Sequence, residues 1–129
     1  MPSFSGIDHI ALTVSDLTLS VAFYESVLDA QPQGTMTDGT FTRCVLALPG
    51  RTHLGLTQHD IGSGRGFDPT SPGLDHLAFA CESREQLTTW AEHLDTLGVL
   101  HGGVHDASYG SALSFADPDG NALEFFAPA

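Results

Sequence analysis

The stretch Gly6-Ile7-Asp8-His9-Ile10-Ala11 returns 67 residues later as Gly73-Leu74-Asp75-His76-Leu77-Ala78, and both of its changes exchange Ile for Leu. A chain with that period is built from two copies of one supersecondary unit, and neither copy buries its apolar face fully alone. After each copy, apolar residues recur at helical spacing: Leu17, Val21, Tyr24 and Leu28 in the first half, and Leu87, Trp90, Ala91, Leu94 and Leu97 in the second. Asp16 and Ser83 stand where N-caps belong, and Gly98 where the second helix should stop.

The remainder of each half has the character of strands. Short stretches at 32–36, 41–48 and 53–57 are matched by 99–105, 112–116 and 122–127. Asp117-Pro118-Asp119-Gly120 predicts a type I turn, with Pro at the second position and Gly at the fourth, and Pro49-Gly50 plays the same part earlier. Aligning the two turns on their prolines changes the offset to 69, so Leu54-Gly55-Leu56 falls on Leu123-Glu124-Phe125 and Gly55 takes the place of Glu124. Between the halves, residues 59–73 hold four Gly, two Pro and two Ser in 15 residues, the composition of a connector. Its Gly62-Ser63-Gly64-Arg65-Gly66 run is no phosphate loop, because no Gly-Lys-Ser/Thr follows and no helix opens there.

These elements predict an α+β fold of two βαβββ modules in tandem, about 6–58 and about 73–128, joined by a connector at about 59–72. Their mixed sheets are expected to form a cup-shaped or barrel-like cleft within a single domain spanning 1–129. The length of 129 residues leaves no room for a second full domain, and 41% hydrophobic residues supply a core. Four Arg, no Lys and 16 acidic residues give a net charge of −12. Such a field keeps a protein soluble and disfavours nucleic acid and anionic membranes as partners. The missing lysines exclude Schiff-base chemistry. No apolar run reaches the ~20 residues of a membrane helix, and the start lacks a signal peptide's basic and apolar regions, so a cytoplasmic location is expected. Cys44 and Cys81 lie far apart in apolar segments and are expected to be buried and reduced.

Two copies pairing around a shared concavity would turn symmetry-related positions toward each other, and positions 9, 55, 76 and 124 carry His, Gly, His and Glu. His9 and His76 fall in the middle of apolar strand segments. Glu124 has few polar neighbours, and a carboxylate in such company is costly unless paired, hydrogen-bonded or metal-bound. A lone strand histidine is ordinarily a core residue, but two at equivalent positions with a carboxylate at a third make a 2-His-1-carboxylate set. That set suits Fe2+ and related divalent ions and leaves coordination positions for substrate. His53 shares the strand face of Gly55 and is a candidate for proton transfer, as are Tyr109 and His105 near a strand junction.

Through the two Asp-His-Ile/Leu-Ala openings, Phe23-Tyr24, and Asp117-Pro118-Asp119-Gly120 followed by Leu123-Glu124-Phe125, the chain from Gly6 to Pro128 resembles the vicinal oxygen chelate superfamily. That superfamily groups glyoxalase I, extradiol dioxygenases, methylmalonyl-CoA epimerase, fosfomycin resistance proteins and bleomycin-binding proteins. The resemblance implies that His9, His76 and Glu124 ligate a divalent ion (Fe2+, Mn2+, Ni2+ or Zn2+) that chelates a small oxygen-rich substrate. Gly55 departs from glyoxalase I, which has a glutamate ligand there, so ordinary glyoxalase I activity is not expected. The three-ligand set is closer to extradiol dioxygenases and fosfomycin-modifying enzymes. In the latter, only Arg43, Arg51, Arg65 and Arg84 could bind a phosphonate here. The alternative is a protein that sequesters an antibiotic or another aromatic ligand, as bleomycin-binding relatives do, with walls drawn from Phe41, Phe67, Trp90, Phe115 or Phe126. The resemblance also implies a homodimer, with the site either inside one chain or shared between subunits.

Overall fold

A computed structural model describes all residues from Met1 to Ala129. The chain divides into two compact units, Met1–Arg65 and Gly66–Ala129. In the first unit, β1 (His9–Thr13) leads into α1 (Leu17–Leu28) and then β2 (Gln31–Asp38), β3 (Phe41–Ala47) and β4 (His53–His59). The second repeats this order with β5 (Leu77–Ala80), α2 (Arg84–Thr96), β6 (His101–Ala107), β7 (Gly110–Ala116) and β8 (Ala122–Pro128). The sheet orders are β1-β4-β3-β2 and β5-β8-β7-β6, so each unit is the expected βαβββ module with one parallel pair in a mixed sheet.

The helices begin where the sequence places them. Asp16 accepts a hydrogen bond from the Leu19 N–H at 3.0 Å, and Ser83 accepts one from the Gln86 N–H at 3.4 Å. Gly98, at φ 69°, ends α2 in a left-handed turn closed by the Val99 N–H on the Leu94 carbonyl. The end of α1 carries no such signal, because Asp29 takes the left-handed conformation there at φ 52°. The predicted turn is present, closed by the Gly120 N–H on the Asp117 carbonyl at 2.9 Å. Asp117 also accepts from the backbone N–H groups of Asp119 and Asn121, which locks the approach to β8. Strand β2 runs longer than expected and is exposed along its whole length, an edge whose register shifts between Pro32 and Gly34.

Alternation along the strands divides each sheet into two faces. In the first unit Leu12, Cys44, Leu46, Leu54 and Leu56 are buried with Tyr24 and Val27 of α1, each fully buried leucine contributing roughly 1.5–3 kcal/mol. The opposite face carries His9, Ala11 and Thr13 of β1 beside His53, Gly55 and Thr57 of β4. In the second unit Leu113, Phe115, Leu123 and Phe125 are buried on the helix side, where Trp90 of α2 stacks on Phe125 at 4.1 Å between centroids. Trp90 and Phe115 therefore belong to this core and not to a ligand wall, because Phe115 also stacks on Phe125 at 5.1 Å. Cys44 and Cys81 are buried free thiols, and burial pushes the Cys81 thiol up. No helix is long and apolar enough to cross a membrane.

One ion pair ties α2 to its sheet. Arg84 donates through Nε and Nη2 to the Asp106 carboxylate at 2.7 and 2.9 Å, and Ser111 adds a bond at 2.6 Å. The guanidinium and then the hydroxyl hold the Asp106 pKa down at about 2, against an ordinary value of 3.8. A lowered carboxylate pKa stabilises the fold above the unfolded-state value and ceases to do so as pH falls through the folded one. The stability difference between the parent and Asp106→Asn, from chemical denaturation, should therefore be constant above about pH 5 and shrink between 3.8 and about 2. It should also diminish with added salt, since both side chains are half exposed.

Candidate metal centre

His9 opens β1 and His76 precedes β5 by one residue; neither lies mid-strand as the sequence pattern suggested. Both side chains are largely exposed, at 67% and 49%. The reason is the pairing: parallel register begins at His9↔His53 in one sheet and at Leu77↔Leu123 in the other, with the chain turning in through Gly6 and Gly73 at positive φ. Each imidazole is fixed by its preceding residue. Nδ1 of His9 lies 2.6 Å from the Asp8 carboxylate, and Nδ1 of His76 lies 2.7 Å from that of Asp75. A carboxylate only accepts, so Nδ1 carries the proton in each ring and Nε2 is the free nitrogen. This carboxylate–imidazole pairing is how metal-ligating histidines are commonly oriented. The Asp-His doublet is legible in both repeats, but only the structure shows that each Asp holds its neighbour's ring.

The electrostatics follow from these bonds. The His9 ring, through its hydrogen bond and then its charge, holds the Asp8 carboxyl below the usual range, with a smaller contribution from His53. His76 is pushed up, first by the Asp75 hydrogen bond and also by the negative charge of Glu124. Glu124 is the third residue of β8, opposite Ala78 in the parallel register, on the same face as His76. It is half-buried, so its burial is less costly than its apolar neighbours suggested, and its carboxylate accepts no hydrogen bond from the chain. Its repeat-equivalent, Gly55, stands opposite Ala11 in the other sheet, so the offset read from the turns holds in three dimensions.

The donor chemistry fits a divalent ion: two imidazoles with Nε2 free, and one carboxylate without a protein partner. Within neither unit do three His, Cys, Asp or Glu side chains gather. The first unit brings His53 beside His9, as cross-strand neighbours on the face that carries Gly55. In the second, Tyr109 lies in the β6–β7 turn, 74% exposed and stacked on Phe126 at 6.2 Å, on the face of Glu124. His105 is exposed and engaged with the Gly102 carbonyl at 2.9 Å. Of the four arginines the sequence offers for an anion, Arg43 is half-buried on the His53 face and donates from Nε to the Thr57 hydroxyl at 2.7 Å, a contact that no sequence signal shows.

Two tandem βαβββ modules with Asp-His at the head of each define the fold class, and comparison with known proteins supplies the family. Residues 6–125 match the Glyoxalase/Bleomycin resistance protein/Dioxygenase superfamily, and the chain belongs to it. Among curated relatives, the metallothiol transferase FosB of Bacillus licheniformis is 31% identical over 121 residues, covering 92% of this chain and 73% of that one. A glyoxylase/bleomycin resistance protein/dioxygenase domain from Frankia sp. EAN1pec superposes with a TM-score of 0.91 at 35% identity, covering 98% of this chain and 100% of that one. The fold is also that of the fosfomycin resistance protein FosX of Listeria monocytogenes, solved with Mn(II) and a dihydroxypropylphosphonic acid. There the TM-score is 0.75 at 22% identity, over 98% of this chain and 95% of that one.

Removing either buttressing carboxylate should loosen the ring it holds. Asp8→Ala and Asp75→Ala are each expected to weaken divalent-metal affinity about 10- to 100-fold, measured by competition with a chromophoric chelator. Unchanged affinity in both would show that the Asp-His pairs serve only local structure.

Proposed function

We propose that this protein is a metal-dependent enzyme in which His9, His76 and Glu124 hold one divalent ion, of the Fe2+, Mn2+, Ni2+ or Zn2+ type. Its substrate is a small molecule that binds the ion through two adjacent oxygens. The observation that carries this reading is the matched pair of carboxylate-held histidines at repeat-equivalent positions, each with Nε2 free, together with the unpartnered Glu124. A bound ion supplies Lewis acidity to oxygens developing negative charge. Of the three proposed ligands, His9 belongs to the first unit and His76 and Glu124 to the second. The partner in that arrangement is either the other half of the same chain or a second copy, in a homodimer.

The reaction differs from that of glyoxalase I. At position 55 there is no carboxylate to act as a fourth ligand or to shuttle a proton, and the stem of Arg43 lies beside it, its Cδ 3.5 Å from where a Cβ would stand. Proton transfer instead falls to His53, which neighbours His9 and is half-buried, with the Tyr109 hydroxyl as the second group able to donate to substrate. The 31% identity to a metallothiol transferase favours a transfer reaction over proton movement between carbons. The alternative, sequestration of an aromatic ligand, draws on the Tyr109–Phe126 stack and predicts ligand binding that survives chelator treatment.

Untagged protein purified without chelators is expected to carry about one divalent ion per set of three ligands, and Glu124→Ala none, by elemental analysis. Metal retained at the parent level in Glu124→Ala removes the carboxylate from the ligand set. Mixing His9→Ala with Glu124→Ala decides where the set is assembled: recovery of metal binding in the mixture indicates a site shared between subunits, and no recovery a site within one chain.

A further inference from the structure

We infer that Arg43 is the recognition residue for an oxyanionic group, a phosphonate or a carboxylate, on the ligand bound at the His9 face. The substrate class this gives rests on the reading above, whereas the anion site itself stands on the first unit alone. The four arginines are the only cationic side chains besides histidine in a chain of net charge −12, and their surroundings differ. Arg84 is neutralised by Asp106. Arg51 lies exposed in the β3–β4 turn and Arg65 exposed in the connector. Arg43 alone is half-buried on a sheet face, the face that carries His9 and His53.

Its setting is built. Nε is tied to the hydroxyl of Thr57, which is 3% exposed, and the guanidinium carbon stands 4.8 Å over the Phe41 ring. Those two contacts fix the plane of the group, while the N–H groups of both Nη atoms meet no acceptor in the chain. With 16 carboxylates available, none lies within ion-pair range of Arg43. A half-buried guanidinium held rigid with its fork unfilled matches a planar or tetrahedral oxyanion, which accepts two parallel hydrogen bonds from it.

Gly55 lies beside the stem of this arginine. An added Cβ there would crowd the Ala11 Cβ at 3.3 Å and meet the Arg43 Cδ in ordinary contact at 3.5 Å. Where the second repeat presents the carboxylate of Glu124, the first therefore presents a guanidinium. The local charge is inverted, and the ligand brings the negative charge that the missing side chain would have supplied.

The test uses the full chain without metal, with methylphosphonate and acetate as probes, followed by calorimetry and by the NMR signals of the arginine Nε–H groups. Both probes are expected to shift the Arg43 signal. Arg43→Met should weaken binding at least about tenfold, and Thr57→Val, which keeps the charge but frees the guanidinium, several-fold. Circular dichroism and the undisturbed Arg84 signal establish that each variant is folded. Stronger binding of methylphosphonate assigns a phosphonate-bearing ligand, and stronger binding of acetate a carboxylate-bearing one. Equal affinity in the parent and Arg43→Met, or shifts confined to Arg51 and Arg65, overturns the inference. Because no metal is present, failure of the three-ligand set leaves this result standing. Conversely, loss of anion binding with Arg43→Met leaves metal stoichiometry as it was.

Discussion

The two-residue period of the strands is the constraint on which the rest depends. In β4 and β8 it sends Leu54, Leu56, Leu123 and Phe125 into the helix-covered core and turns His53, Gly55 and Glu124 the other way. A slip of one residue would bury the polar set and expose the leucines, so the hydrophobic term that stabilises each unit also fixes the chemistry-bearing side chains to one face. The parallel pairs β1–β4 and β5–β8 extend that division to the histidines at the head of each repeat. Burial and the face each of these side chains takes are thus consequences of the strand registers.

Within that frame the two repeats differ at the structurally equivalent positions 55 and 124. The second unit keeps a carboxylate at 124, and the first has a glycine at 55 with Arg43 reaching past it. A glycine there offers no donor atom, and Arg43 of the neighbouring strand lies within contact distance of where its side chain would be. In the proposed site three protein groups would hold the ion, and Arg43 would offer positive charge to the ligand. Membership of a superfamily that includes glyoxalases, dioxygenases and resistance proteins fits this kind of drift, where the scaffold is retained and the reaction is set by a few positions.

Much of the fold was legible because repetition and alternation are local signals. The Asp-His-Ile/Leu-Ala doublet, the caps Asp16 and Ser83, the stop at Gly98 and the turn at Asp117 are all read from short windows, and each governs the element beside it. Sequence windows carry less about strand ends: β2 extends to Asp38 along an exposed edge, and Asp29 closes α1 in a conformation usually left to glycine. His9 and His76 were placed too deep, since apolar neighbours say nothing of where pairing begins. Trp90 already falls on the apolar face of the second helix, whereas Phe115 could not be told from a wall residue until the alternation of β7 set it against Phe125. The Arg43–Thr57 bond joins adjacent strands 14 residues apart in sequence and depends on a register that no window shows.

The central claim is that His9, His76 and Glu124 form one metal centre. X-ray absorption at the metal edge of Zn- or Mn-loaded protein tests it most directly, because imidazole rings leave a multiple-scattering pattern distinct from that of water and carboxylate oxygens. The account predicts imidazole scattering from two rings in the parent, reduced to one ring in His9→Ala and in His76→Ala. A shell of oxygens without imidazole, or a parent spectrum preserved in both variants, would contradict it.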